Sequence, residues 1–274
     1  MAADPVPLWR GKSLALAFHG HFLRGDTRHR GSDYFVNHQG IRDHVIDPLK
    51  NQGANLAIFA HTYAAPCNET NQRLIALLQP EEIILQTTHL SKRIVDSFLA
   101  VLKLVKSADA THHFDHVFLL RFDVLYKFPI TSPAFKLNPE AVNIPWRSRG
   151  RTWHYYRMVS DLFFSFPAKY IDLAMWALDS SGNYANQQMC PRCTGNGHFF
   201  YKFWMQRNES RNACGINFLI NNTFSGSDVE WPMTVKPELW LGINRKVEHN
   251  FTFCNTSSRS TNVGLNHYTR KHFG

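Results

Sequence analysis

The sequence predicts an α/β fold, a single-domain, open and mostly parallel sheet flanked by helices. Three observations lead there. Short apolar runs alternate with segments of helical periodicity through residue 127, a rhythm that specifies a parallel sheet with right-handed crossovers. Glycine or proline punctuates the boundaries between segments. Polar residues sit where each apolar run ends, so they gather at one edge of the sheet.

Ser13–His19 (SLALAFH) is the first expected strand. The loop after it places Gly20, Gly25 and Gly31 among Arg24, Arg28 and Arg30. Glycines let a backbone approach a ligand closely, and arginines neutralise phosphate. The spacing is neither that of a Walker loop nor GxGxxG. A helix is expected over 36–51, where Ile41, Val45, Ile46 and Leu49 share a face and Gly53 supplies a stop.

Residues 55–60 (NLAIFA) form the second expected strand, ending in His61, Thr62 and Tyr63. Asn68 is placed to cap a helix bearing Leu74, Ile75, Leu77 and Leu78, which Pro80 closes. Glu82–Gln86 is the third strand, and Ser91 caps a long helix with Ile94, Phe98, Leu102 and Val105 on one face. The fourth strand, 116–122, carries four consecutive apolar residues, as expected of a strand buried on both faces.

That fourth strand ends in Arg121-Phe122-Asp123. On extended backbone, residues i and i+2 point the same way, so a cation and a carboxylate share one face. A guanidinium forks onto phosphate oxygens, and a carboxylate ligates a hard divalent cation or a ribose hydroxyl. His19, Arg24 and His61 are expected at the same edge.

Beyond Lys127 the rhythm breaks into a turn-rich stretch with Pro129, Pro133 and Pro139. Strands are expected at 141–146 and 158–166, a helix at 168–180 ending at Gly182, a second helix at 197–207 and a strand at 216–220. From Trp231 onward the sequence reads as loop, with a mobile tail beyond Cys254. No repeat, low-complexity tract or linker appears. One domain, 1–274, is therefore expected, in two halves, 13–127 and 128–274.

Composition narrows the function. Thirty Lys and Arg against 21 Asp and Glu give a net charge of +9, which favours an anionic partner. The basic residues are dispersed, with no basic tail or helix, so a phosphate-bearing small molecule fits better than nucleic acid. No run of about 18 apolar residues is present, so no membrane span is expected. The opening MAADPVPLWRGK lacks the apolar core of a signal peptide. Sequons at Asn68, Asn208, Asn221, Asn250 and Asn255 lean towards a secretory lumen. The five cysteines suit disulfides there, with Cys190, Cys193, Cys214 and Cys254 as structural candidates of undetermined pairing. Cys190-Pro-Arg-Cys193 has no second CxxC at zinc-site spacing.

Four segments together resemble a family. They are LALAFHGHFLR (14–24), AIFAHTY (57–63), LLRFDVLYK (119–127) and VSDLFFSFP (159–167). In that order they resemble GT-A-type nucleotide-sugar glycosyltransferases, especially polysaccharide, lipopolysaccharide and algal or viral relatives with Arg-x-Asp in place of Asp-x-Asp. The resemblance covers 13–167. It implies a GT-A-like fold with a Rossmann-like N-terminal half, and transfer of a hexosyl or pentosyl group from a nucleotide-sugar donor to a glycan or glycoprotein hydroxyl.

The implied roles follow residue by residue. Donor contacts fall to Asp123, Arg121, Arg24, His61 and His19, with Mn²⁺ or Mg²⁺ at Asp123. Arg121 in the first motif position places a fixed guanidinium where a metal otherwise brings charge. Asp161 is the implied base, and Arg121 meets charge on the departing diphosphate. Trp146, Arg147 and Tyr155, with Trp153 and Tyr156 nearby, form an expected acceptor platform. Such an enzyme would reside in the Golgi or another secretory lumen if an anchor was removed, and otherwise in the cytoplasm. The competing class is a non-catalytic carbohydrate-binding domain on the same fold; a nucleic-acid-binding protein is a distant third.

Overall fold

The computed structural model describes residues 7–20, 39–64, 68–86, 95–148, 154, 157–188, 197–208, 214–220, 223–224, 230–231, 241–244 and 266–269. The alternating segments build four parallel strands: β1 (Ser13–His19), β2 (Asn55–Tyr63), β3 (Glu82–Gln86) and β4 (His116–Arg121). A π-helical turn (Arg42–Ile46) running into α1 (Asp47–Asn51) precedes β2. α2 (Asn68–Leu78) precedes β3, and α3 (Val95–His112) precedes β4. Pro48 lies inside this continuous helical run and cannot donate to the His44 carbonyl, which accepts the Ile130 N–H at 2.7 Å instead. Ser91 and Ile94 lie outside the described residues.

Alternation sorts the strand side chains into two cores. Leu14, Leu16, Phe18, Ile58, Phe118 and Leu120 pack with Val45, Leu49, Leu74 and Leu78 on one face. Ala15, Ala17, Phe59, Val117 and Leu119 pack with Phe98, Val101, Leu102 and Val105 of α3 on the other. Both faces of β4 are covered, as its unbroken apolar run demands.

The second half extends the same sheet. β6 (Val142–Ile144), β8 (Phe163–Pro167) and β9 (Ile216–Phe218) join it, while β5 (Val124–Tyr126) and β7 (Arg147–Ser148) belong to two smaller sheets. Two-residue β10 (Thr223–Phe224) pairs with β7, and β11 (Glu230–Trp231) with β12 (Leu241–Asn244). β12 lies antiparallel to β5. Strand β13 (Asn266–Thr269) lies antiparallel on β3. The main sheet runs β13-β3-β2-β1-β4-β8-β6-β9, with β8 antiparallel to β4. Helices α4 (Ile171–Gln188) and α5 (Phe200–Asn208) join the α3 face, contributing Ala174, Leu178, Phe200 and Trp204 to its core. Among the described residues no helix is long and apolar enough to cross a membrane.

Several expectations need correction. β4 ends at Arg121, and Phe122 and Asp123 form a turn, so the two motif charges are not alternate residues of one strand. Gly182 does not stop a helix. It lies inside α4, and its bare Cα lets Val95 of α3 pack so closely that any added Cβ would clash with the Val95 side chain. The region after Trp231, read as loop, contributes β12 and β13. Strand 158–166 shortens to β8. Cys214 is half-buried, and burial pushes its thiol pKa up to about 11. The other four cysteines lie outside the described residues.

Candidate active site

The strand order fixes where to look. From β1 the chain steps outward to β2 and β3 and then returns to place β4 on β1's other side, so the order reverses between β1 and β4. Open α/β sheets bind ligands outside the carboxyl ends of strands at such a reversal. His19 is in register with both His61 and Arg121, which puts three of the expected residues side by side at that edge.

The two histidines are held differently. His19 is fully buried, its ring centroid 3.6 Å from that of Phe98, and neither ring nitrogen has a hydrogen-bond partner among the described residues. Burial, reinforced by the Arg121 charge, holds its pKa well below the ordinary value, so the ring is neutral. His61 places Nδ1 3.0 Å from Ser97 Oγ, and burial lowers its pKa too. The same hydroxyl accepts the Gly20 N–H at 3.0 Å, pinning the exit of β1 to α3. Gly20 has φ of +93°, a conformation glycine adopts without strain. Arg24 lies outside the described residues.

Arg121 occupies the centre. It donates Nε–H to Asp123 Oδ1 at 2.8 Å and Nη2–H to Asp123 Oδ2 at 2.7 Å, a two-pronged pair. It also donates Nη1–H to Asp161 Oδ1 at 3.1 Å. The turn at 122–123 folds Asp123 back to make the fork, and the segment entering β8 brings Asp161 from forty residues away. Little of this cluster is wetted: 17% of the Arg121 side chain is exposed, 8% of Asp123 and 5% of Asp161. Among these three side chains, one guanidinium faces two carboxylates. Three of the five Arg121 N–H groups point at carboxylates.

The same geometry bears on metal. Both Asp123 oxygens accept from Arg121, and no group of three or more His, Cys, Asp and Glu suited to a metal ion occurs among the described residues. Asp123 as placed does not fit the role of cation ligand.

The acceptor-side expectation fares unevenly. Trp146 is 3% exposed and belongs to the core beside Phe122, so it offers no stacking face. Arg147 is half-buried at the start of β7, bridged to Val159, with its guanidinium 4.4 Å from the Phe218 ring centroid. Tyr155, Trp153 and Tyr156 lie outside the described residues.

Sequence reasoning gave no role in transfer to His198. It sits in the 3₁₀ turn Gly197–Phe199 and donates Nδ1–H to the Val159 carbonyl at 2.8 Å, while Val159 N–H donates to the His198 carbonyl at 2.8 Å. Its Nδ1 is 3.8 Å from Asp161 Oδ1. No spacing rule links residues 159–161 with 198; only the fold joins them. A cavity of about 260 Å³, lined by Trp9, Lys12, Asp115, His116 and Glu140 among others, lies at the opposite ends of β1 and β4.

No protein-family model and no curated protein matches this sequence. Solved structures similar to it include the apo form of the glycosyltransferase GlyE of Streptococcus pneumoniae TIGR4, at 12% identity and TM-score 0.38, over 76% of this chain and 45% of that one. The chain thus spans under half the length of GlyE. Another is the Drosophila beta-1,4-galactosyltransferase 7 in complex with manganese, UDP-Gal and xylobiose, at 11% identity and TM-score 0.38, covering 78% and 67% of the two chains. A third is a glycosyltransferase involved in glycosylation of the major capsid of PBCV-1, at 11% identity and TM-score 0.40, covering 75% and 81%. At these values they assign no role to any residue described here.

Proposed function

We propose that the chain is a nucleotide-sugar-dependent glycosyltransferase that moves a sugar onto a glycan or glycoprotein hydroxyl, with the rim formed by β1, β2 and β4 as its donor side. One observation carries the reading. The segments on which the family resemblance rests lie apart in sequence, yet His19, His61, Arg121, Asp123 and Asp161 from them meet at one reversal point of the sheet.

The chemistry asks for two things: relief of charge on the departing diphosphate, and stabilisation of an oxocarbenium-like sugar. The buried cluster, with two carboxylates to one guanidinium, suits the cationic sugar. It does not suit a diphosphate. We therefore assign phosphate neutralisation to Arg24, Arg28 and Arg30, which follow Gly20 in sequence, and give Arg121 the work of holding Asp123 and Asp161 aligned. Asp123 then orients the donor through a ribose hydroxyl.

The burial of Asp123 and Asp161 favours the second reading, a carbohydrate-binding domain without turnover. A thermal-shift screen with UDP, GDP and their sugars, each with and without Mn²⁺, separates the two. Stabilisation by one nucleotide class, lost in Arg24→Ala, is expected. Stabilisation by free oligosaccharides alone points to the binding domain, and no response to millimolar nucleotide sinks the transferase.

A further inference from the structure

We propose that the cavity of about 260 Å³ at the amino-terminal ends of β1 and β4 is a second binding site, which takes one neutral pyranose ring, free or at the end of a glycan. This goes beyond the transferase reading, which concerns the other rim of the sheet. His116 and Arg121 stand at the two ends of β4, five residues or about 17 Å apart, so one sugar ring cannot occupy both places.

The buried part of the lining carries polar atoms with nothing to bond. Trp9 and His116 both line the cavity, and each is 1% exposed. Trp9 Nε1 and both ring nitrogens of His116 lack a hydrogen-bond partner among the described residues. The Pro139 carbonyl lies near enough to His116 to favour a protonated ring, yet it meets neither nitrogen in bonding geometry. Burial prevails and keeps the imidazole neutral, with one N–H to give and one lone pair to fill. Packing accounts for where the two rings sit: their centroids are 5.1 Å apart, and each lies within 5.2 Å of that of Phe118. It does not account for three partnerless atoms on side chains that border an open space, because native interiors leave few such groups.

The charges around the cavity select the ligand. Lys12 Nζ meets Asp115 Oδ1 at 3.1 Å, and Asp115 Oδ2 accepts the Ser13 N–H at 2.8 Å, so this pair is already matched. Glu140 and Lys169 differ. Both are exposed, both line the cavity, and neither makes an ion pair among the described residues. Lys169 reaches the Tyr170 ring, 5.1 Å from its centroid. Two cations and two carboxylates cancel, which favours neither an anion nor a cation.

Hydrogen bonding narrows the choice further. Lys169 and the Trp9 indole only donate, Glu140 only accepts, and neutral His116 does one of each. A ligand that serves all four must give and take from several positions on one small body, as sugar hydroxyls do. A phosphate dianion would only accept and would face Glu140; an alkylammonium would only donate and would face Lys169. Phe114, Pro139 and Pro167 supply apolar surface for the C–H faces of the ring. At about 30 Å³ per water the cavity equals about nine waters, room for one ring with its hydroxyls rather than two.

The test uses the full chain and reads the Trp9 indole N–H resonance by proton–nitrogen correlation NMR, assigned by its loss in Trp9→Phe. The probes are methyl glycosides of glucose, galactose, mannose and xylose, with inorganic phosphate and methylammonium as charged controls. A saturable shift of the Trp9 resonance at millimolar glycoside is expected. Lys169→Met and Glu140→Gln alter exposed side chains without ion pairs and so spare the fold. Each should weaken glycoside binding by about tenfold or more, the effect of losing one charged hydrogen bond. Tighter binding of the matching disaccharides identifies the ring as a glycan's end, and equal binding identifies a free sugar. If no glycoside moves the Trp9 resonance, the site falls and the cavity belongs to water. A larger response to phosphate or methylammonium overturns the neutral ligand. Binding unaltered in both variants puts the sugar elsewhere and overturns the site as well. The nucleotide-induced thermal shift belongs to the other rim and should be the same in both variants, so failure of either reading is seen separately.

Discussion

Arg121 closes both Nε and Nη2 onto the two oxygens of Asp123, at 2.8 and 2.7 Å, from a position two residues away across a turn. A fork of this kind fixes the planes of both groups, so each side chain has one orientation available to it. Most of what the site can do follows from that constraint and from the third bond to Asp161.

Asp123→Ala removes both prongs of the fork and leaves the guanidinium with its bond to Asp161. Breaking a buried ion pair from one side costs about 3–5 kcal/mol, and the remaining carboxylate keeps the loss at the lower end. At about 2–4 °C per kcal/mol for a chain of this class, the melting temperature should fall by roughly 6–12 °C. Calorimetry checks this, and an unchanged melting temperature would show that the fork does not form in solution.

Arg121→Lys keeps the charge and loses the geometry. An ammonium cannot grip both Asp123 oxygens while reaching Asp161. Misplacing groups at a reacting centre costs on the order of 100-fold in rate. Transfer should therefore drop by about that factor while the far-ultraviolet circular dichroism spectrum stays the same. Retained activity would mean that charge alone suffices.

Acidification should destabilise the protein through its buried imidazoles. His116 is held down to about 3 by burial, and His19 and His61 are lowered for the same reason. The unfolded chain binds protons near pH 6.5 and the folded chain does not, so stability is lost as pH falls below about 6.5 and continues to fall towards 3 for His116. Each such group contributes about 1.4 kcal/mol per pH unit inside its window. Urea titrations at pH 7 and 5 should show this, and His116→Leu should flatten the slope by about one group. A slope unchanged in His116→Leu refutes the assignment.

Gly182→Ala reverses an ordinary preference. Inside a helix, alanine normally beats glycine by about 0.5–1 kcal/mol. Here the added carbon meets Val95, and overpacking costs about 1–3 kcal/mol. A net loss of stability is expected, with recovery in the double variant carrying Val95→Ala, as a double-mutant cycle would measure. A stabilising Gly182→Ala would mean that α3 and α4 are not so tightly packed.

Sequence periodicity located β1 to β4 and α2 almost to the residue, because each is a local pattern covered by neighbours on both sides. It placed His19, His61 and Arg121 at one edge correctly, since strand ends in a parallel sheet share an edge. It misjudged features set by distant partners. The direction of β8 and the pairing of β13 with β3 depend on chain return, which no local window records. Gly182 carries a stop signal that packing against Val95 overrides. Trp146 has the composition of a stacking surface but lies under the core, and His198 gains meaning only from Val159 and Asp161, some forty residues upstream.

The pairing of β13 with β3 also has a consequence in time. About 180 residues separate Gln86 from Asn266. At about 5–20 residues per second of synthesis, β3 waits roughly 9–36 s for its outer neighbour. Throughout that interval the growing polypeptide shows the ribosome's surroundings a row of unmet backbone donors and acceptors, an invitation to holdase chaperones and to sister nascent chains alike.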